Sequence, residues 1–510
     1  MIPRVLPLCV IMVLAGVMRA AEPSPLAAGP TEFIRAQAGS AVHWQPWTEA
    51  SLAQARASGK SVYVFVGSPL SELTRATISQ TFTSEKTVAW LNENFFCLFV
   101  DADAQPDVAA FSQYFIRTVK QLQGSPVHLW LTPDTLQPYD GANYLPPSEE
   151  WGKPGFLKAA RAALDTWALD PARARALATE AAEMMRPVPL DPAATLAIGA
   201  KLDAAAAAWA GTIDPVHGGF GSAPKLPEPE LIRFLLTREG PAREAALNAA
   251  RALVKGALRD PVDGGFYRRC IDDQWKEPYH QKLLADQARI ALALFEAAEV
   301  GKDEALRTAG IGALDFVLKE LRNPDGSFAA ALDGTLDENR DAAQRPTFAK
   351  VGSGRLMAQA LLAGALHRSG EKRLRAEATR LVEKLNRDVY RPAGTARVIP
   401  GDTAVDHAAL LLAMRQLNGG TAASAPLKEL DRRYFDEASG SYQAAPFPLP
   451  AGITARVPLL GETPSAEVLA LLAGAEAKTA DLIQRNLMMQ IEYDELPPGD
   501  ILLGLSQAQK

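Results

Sequence analysis

SVYVFVGSPLSELTRATISQTF, residues 61–82, decides how this chain is read. A β-branched and aromatic run, Ser61–Val66, breaks at Gly67 and enters a helix at Ser71-Glu72-Leu73-Thr74. A helix N-terminus lowers the pKa of a thiol placed there and turns it into a nucleophile, so positions 71 and 74 are where a redox-active cysteine pair would stand. Ser71 and Thr74 stand there instead, and hydroxyls cannot form a disulfide. The stretch predicts an α/β module laid out for thiol chemistry but lacking the thiols.

Working outward, short apolar runs at Val62–Val66, Phe95–Val100 and Val127–Leu131 alternate with helical periodicity at Glu49–Ser58, Thr74–Phe82, Glu85–Asn92, Val108–Leu122 and Phe156–Trp167. Strands spaced by helices predict a sheet covered on both faces. Gly124-Ser125-Pro126, directly before a strand, is similar to the segment where thioredoxin-like folds hold a cis-proline beside the active loop, so Pro126 is expected to be cis. Of three cysteines, Cys9 lies in a leader, while Cys97 and Cys270 fall in different predicted domains and read as structural.

The N-terminus reads as an address. Met1-Ile2-Pro3-Arg4 is followed by the apolar run Val5–Val17 and by Ala20-Ala21, the pattern of a signal peptide over residues 1–21. The expected product is periplasmic or secreted, with no stable membrane insertion after cleavage; an uncleaved anchor is the alternative. At 510 residues more than one core is expected. A formal net charge of −6 gives no electrostatic reason to expect a nucleic-acid partner.

Beyond about residue 173 the pattern is helix after helix. DPVHGGFG (214–221) recurs as DPVDGGFY (260–267), with echoes at NPDGSF (323–328) and DEASGSY (436–442). A unit of two helices and a glycine-aromatic loop that returns repeatedly predicts stacked helical hairpins, open or closed into an (α/α)6 ring with its loops at one mouth. The expected organisation is a signal peptide at 1–21, a linker at 22–30, an α/β thioredoxin-like domain at 31–168 and an all-α toroid at 169–510.

VHWQPW (42–47), LNENFF (91–96), VDADAQPDV (100–108), LTPD (131–134), GGFGSAPKLP (218–227) and GGFYRR (264–269) together resemble the YyaL-type family, also called the spermatogenesis-associated thioredoxin-like family. That resemblance implies a thioredoxin-like domain joined to a six-hairpin, glycosidase-like toroid. It also marks departures. The family's C-H-W-C-H cysteines fall on Ser71 and Thr74, and its H-x-x-N-P is replaced at Gln37, Ser40 and Ala41. P-H-F-E-K-M-L-Y-D becomes PYHQKLLAD (278–286), so a glutamate is replaced by Gln281 while Lys282 and Asp286 persist, and a Trp-Asn pair becomes Ser353-Gly354.

Asp286 and Asp406 sit in the first turns of predicted inner helices, where a carboxylate can act as acid or base or simply favour the helix dipole. Asp263, Asp272, Asp273, His280, Gln281 and Lys282 lie in one predicted mouth loop and are candidate ligand contacts, or a solvated loop. Asp263, Asp286 and Asp406 are expected to face a shared cavity. Ser71 would need a base, and His128 is the one in reach, unless it is a packed side chain. No metal-ligand spacing occurs, and neither a metal nor another cofactor is expected. The reading is a non-redox, exported protein that binds or scaffolds, with a polar ligand, a carbohydrate for example, at the toroid mouth, or with a protein partner. The alternative is a glycoside hydrolase or sugar epimerase using toroid carboxylates; thiol-disulfide exchange is disfavoured.

Overall fold

The computed structural model describes residues 24–186, 197–335, 345–390, 403–418, 424–446, 452–454, 477–491, 494 and 496–508. The segment expected to be a signal peptide, residues 1–21, and with it Cys9, lies outside them. Five strands form the N-terminal sheet: β1 (Gln45–Pro46), β2 (Val62–Gly67), β3 (Phe96–Asp101), β4 (Val127–Leu131) and β5 (Pro138–Ala142), in the order β1-β3-β2-β4-β5. β1, β3 and β2 run parallel; β4 and β5 are antiparallel additions. β2 is buried along its whole length, and its period of two sorts the side chains. Val62, Val64 and Val66 enter an aliphatic core with Leu98, Leu129 and the helix Pro106–Lys120. Tyr63 and Phe65 enter an aromatic core with Trp44, Phe82, Phe99, Trp130 and Phe156.

The sheet layer continues past the expected boundary at residue 168. Helix Pro171–Met184 folds back against it, with Ala174 and Ala178 in the aromatic core and Ala181 in the aliphatic one. A second contact comes from much later in the chain: Ala444, Ala445 and Ile453 bury against the face that carries Trp47 and Leu52.

The C-terminal part is a ring of helical hairpins. Outer helices Ile198–Ala210, Pro241–Lys255, Glu304–Phe316, Lys372–Val389 and Ser424–Tyr434 alternate with inner helices Pro229–Leu236, Leu284–Gly301, Leu356–Arg368 and Ala404–Leu417, and the described part ends with outer Ala477–Ile491 and inner Gly499–Ala508. Pro229–Leu236 packs on Leu284–Gly301, that on Leu356–Arg368 and that on Ala404–Leu417, and Gly499–Ala508 packs back on Pro229–Leu236. Inner helices are buried almost all round, which their Ala- and Leu-rich sequences allow. Long connections run from outer to inner helix, so the loops gather at one end with the inner N-termini.

The repeated loops are built alike. Asp214 N–H donates to Gly219 O and Gly218 N–H to Asp214 O; Asp260, Gly265 and Gly264 repeat the pattern. In each, the aspartate also accepts from a buried lysine at 2.6 Å, Lys225 in the first and Lys282 in the second. One feature of the mouth has no counterpart in the helical pattern. β6 (Gln281–Leu283), β7 (Ala329–Asp333) and β8 (Ala349–Ser353) form a three-stranded antiparallel sheet there.

Candidate functional site at the toroid mouth

Ser71 is the N-cap of its own helix, its Oγ accepting from Thr74 N–H at 3.2 Å. Thr74 is fully buried, and its hydroxyl meets Ser125 Oγ at 3.4 Å. Ser125–Pro126 is cis and lies beside this turn, as expected. His128 is no base for Ser71. It is buried in the aromatic core, shares a 2.7 Å hydrogen bond between its Nδ1 and Tyr63 OH, and burial pulls its pKa down to about 3. Burial also raises both thiols, Cys97 and Cys270, the latter to about 12.

The degenerate turn is held against the toroid. Gln281 Nε2 donates to Leu70 O at 2.9 Å, and Arg75 pairs with the buried Asp333 at 3.2 Å and donates to Thr335 at 2.8 Å. Burial and the Glu72 carboxylate raise the pKa of the Tyr279 hydroxyl. Nearby, Ser68 donates to Asp103 at 2.6 Å, and Arg355 from the toroid acts on the same carboxylate.

The mouth residues expected to contact a ligand have separate duties. Lys282 is fully buried, donates to Asp260 at 2.6 Å and to both oxygens of Asp263, and lies over the rings of Tyr267, Phe316 and Phe348. Arg345 joins the same two aspartates. Asp272 accepts from the backbone of Gln274, Lys276 and Glu277, bracing its loop, while Asp273 is exposed and gives its carbonyl to Lys225. His280 packs edge-on to Tyr267. Asp406 closes a capping box with Thr403, accepts from Met357 N–H and pairs with Arg355 at 3.0 Å. Burial works against its charge, yet Arg355 and these donors hold its pKa below the usual value.

Asp263, Asp286 and Asp406 therefore do not share one network. Asp286 belongs to a different group, which the sequence did not reveal as a unit. Glu228 and Glu230 open the inner helix Pro229–Leu236, Asp286 opens Leu284–Gly301, and Asp500 opens Gly499–Ala508. Ring closure brings the three helix ends together. Arg289 pairs with Glu230 at 3.3 Å and acts on both Asp286 and Asp500; Arg268 also acts on Asp286. Burial, opposed by these guanidiniums, raises the Asp286 carboxyl. Burial and the neighbouring carboxylates raise Glu228 and Asp500. Asp500 is 6% exposed, and its Oδ2 has no hydrogen-bond partner among the described residues. Carboxyls with raised pKa take up a proton more readily than ordinary ones, and in that form can donate and accept hydrogen bonds and transfer protons.

Residues 24–186 match the family model Thioredox_DsbH, described as "Protein of unknown function, DUF255". Spermatogenesis-associated protein 20 of Mus musculus is 28% identical over 319 residues, 59% of this chain and 40% of that protein. The protein of the same name from Homo sapiens is 28% identical over 342 residues, 64% of this chain and 42% of its own length. The match thus spans about two fifths of these relatives. Among solved structures, cellobiose 2-epimerase from Spirochaeta thermophila aligns with a TM-score of 0.47 and 19% identity, covering 61% of this chain and 96% of that one. The sequence resemblance holds: a thioredoxin-like family domain, homology to spermatogenesis-associated protein 20, and a toroid of helical hairpins.

Proposed function

We propose that this is a non-redox thioredoxin-like/toroid protein, exported by its leader, that binds a polar ligand of the carbohydrate class at the toroid mouth. The observation that carries the reading is the partly buried group of Glu228, Glu230, Asp286 and Asp500 with Arg268 and Arg289, in which Glu230 and Asp500 are buried. Paired carboxyls and guanidiniums offer the mixed donors and acceptors that neighbouring hydroxyls of a neutral polyol require. The unpartnered Asp500 Oδ2 has hydrogen-bonding capacity to spare, and an unmet buried polar atom is costly until a ligand or water meets it.

A second reading is favoured by the raised carboxyls. Asp286 and Asp500 would serve as general acids beside Glu230, which pairs with Arg289.

A glycan panel separates the two. The wild-type protein is expected to bind at least one glycan, with Asp286→Asn and Asp500→Asn each weakening it up to about tenfold, the scale of one lost hydrogen bond. Turnover by wild type and its loss in both variants would favour catalysis. Absence of binding across the panel would leave a scaffolding or protein-partner role.

A further inference from the structure

Gln281 touches both domains at once. Its side chain is fully buried; Nε2 donates to Leu70 O and to Asp333 Oδ2, both at 2.9 Å, and Oε1 accepts from Arg268 Nη1 at 3.2 Å. Arg75, from the other side of the contact, reaches Asp333, Thr335 and the carbonyl of its own Pro69. Asp333 in turn accepts from Thr335 N–H at 2.8 Å, so its carboxylate is the hub on which both domains converge. A primary amide suits this position because it gives two protons and accepts one. A carboxylate in its place could not donate to Leu70 O and would face Asp333 at hydrogen-bond distance.

We infer that Gln281 is a positioning residue that locks the Pro69–Arg75 turn of the sheet domain onto the toroid mouth, making the former redox loop a fixed wall of that mouth. The lock needs no ligand. Through Arg268, whose charge acts on Asp286, it also bears on the ligand group proposed above, and that last link alone rests on the proposed function.

Hydrogen exchange of the full chain at pH 7 tests the lock directly. In wild type the amides of residues 70–77 should be protected. Gln281→Glu and, from the sheet-domain side, Arg75→Ala should each speed their exchange at least tenfold while β2 and β3 remain unchanged. The double variant Gln281→Glu with Asp333→Asn restores one amide–carboxylate pair inside the toroid sheet but leaves both links to the turn broken, the donor to Leu70 O and the ion pair with Arg75, so exchange there should stay at least tenfold faster than in wild type. Exchange within twofold of wild type in the single variants overturns the inference, and so does a double variant that returns to within twofold of wild type. Should Gln281→Glu not fold, Arg75→Ala and the double variant decide. A chain that binds no glycan leaves these exchange results equally decisive for the lock, while removing the ligand site itself.

Discussion

Asp101 ends β3 with its side chain 2% exposed, accepting from the Thr31 hydroxyl at 2.7 Å and from Asp103 N–H at 2.9 Å. Burial, then the Asp103 charge, raises its pKa to about 6 against these donors. In the unfolded chain an aspartate titrates near ~3.9. Between the two values the native state holds a proton that the unfolded state has released. The stabilising contribution is therefore complete below about pH 4 and is lost as pH rises through about 6. Asp101→Asn should remove that dependence and leave the protein up to about 3 kcal/mol more stable than wild type at pH 7, the worth of about two pKa units. Thermal melts of both proteins across pH 4–7 check it. At this scale the sequence was informative where one residue type decides chemistry, as with Ser71 and Thr74. It was silent where the environment does: nothing in VDADAQPD distinguishes a buried Asp101 from a solvated one.

The repeated loops show what an element demands of its sequence. Gly219 has φ +80°, and a Cβ there would stand 2.6 Å from the ring of Trp275, whose Nε1 donates to Gly218 O. Both conditions exclude other residues, the first by backbone strain and the second by space. Gly219→Ala is expected to cost about 2–4 kcal/mol, the sum of a left-handed Cβ and an overpacked contact, read as a lower urea midpoint at unchanged slope. The glycine-aromatic repeat made the hairpins legible for this reason. β2, β3 and β4 were legible as buried apolar runs. β1 is two residues containing a proline, and β5, PYDGA, carries a proline, an aspartate and a glycine, so neither presents a strand pattern. In the mouth sheet, AAALD is as compatible with a helix as with β7, and pairing across the loop decides.

Across the whole molecule, the remaining thiols are buried and lie far apart in architecture, Cys97 in the sheet and Cys270 in a toroid loop. Neither can meet the other, and the turn that would activate a cysteine holds hydroxyls. Insulin reduction by the purified protein is expected to stay at background, because Cys97 and Cys270, the two thiols among the described residues, are buried in different domains and cannot cycle as a pair. The ligand group was only partly legible at this scale. Asp286 could be picked out by its position on an inner helix, whereas Glu228, Glu230 and Asp500 become neighbours only when the last described helix closes on the first inner one.

The late contact of Ala444, Ala445 and Ile453 with Trp47 and Leu52 has a bearing on biosynthesis. A ribosome delivers the sheet domain long before it delivers the segment that covers this face, and the ring cannot close until Gly499–Ala508 follows. For most of its synthesis the nascent protein carries an uncovered apolar patch, the kind of surface that chaperones recognise and that neighbouring chains can capture.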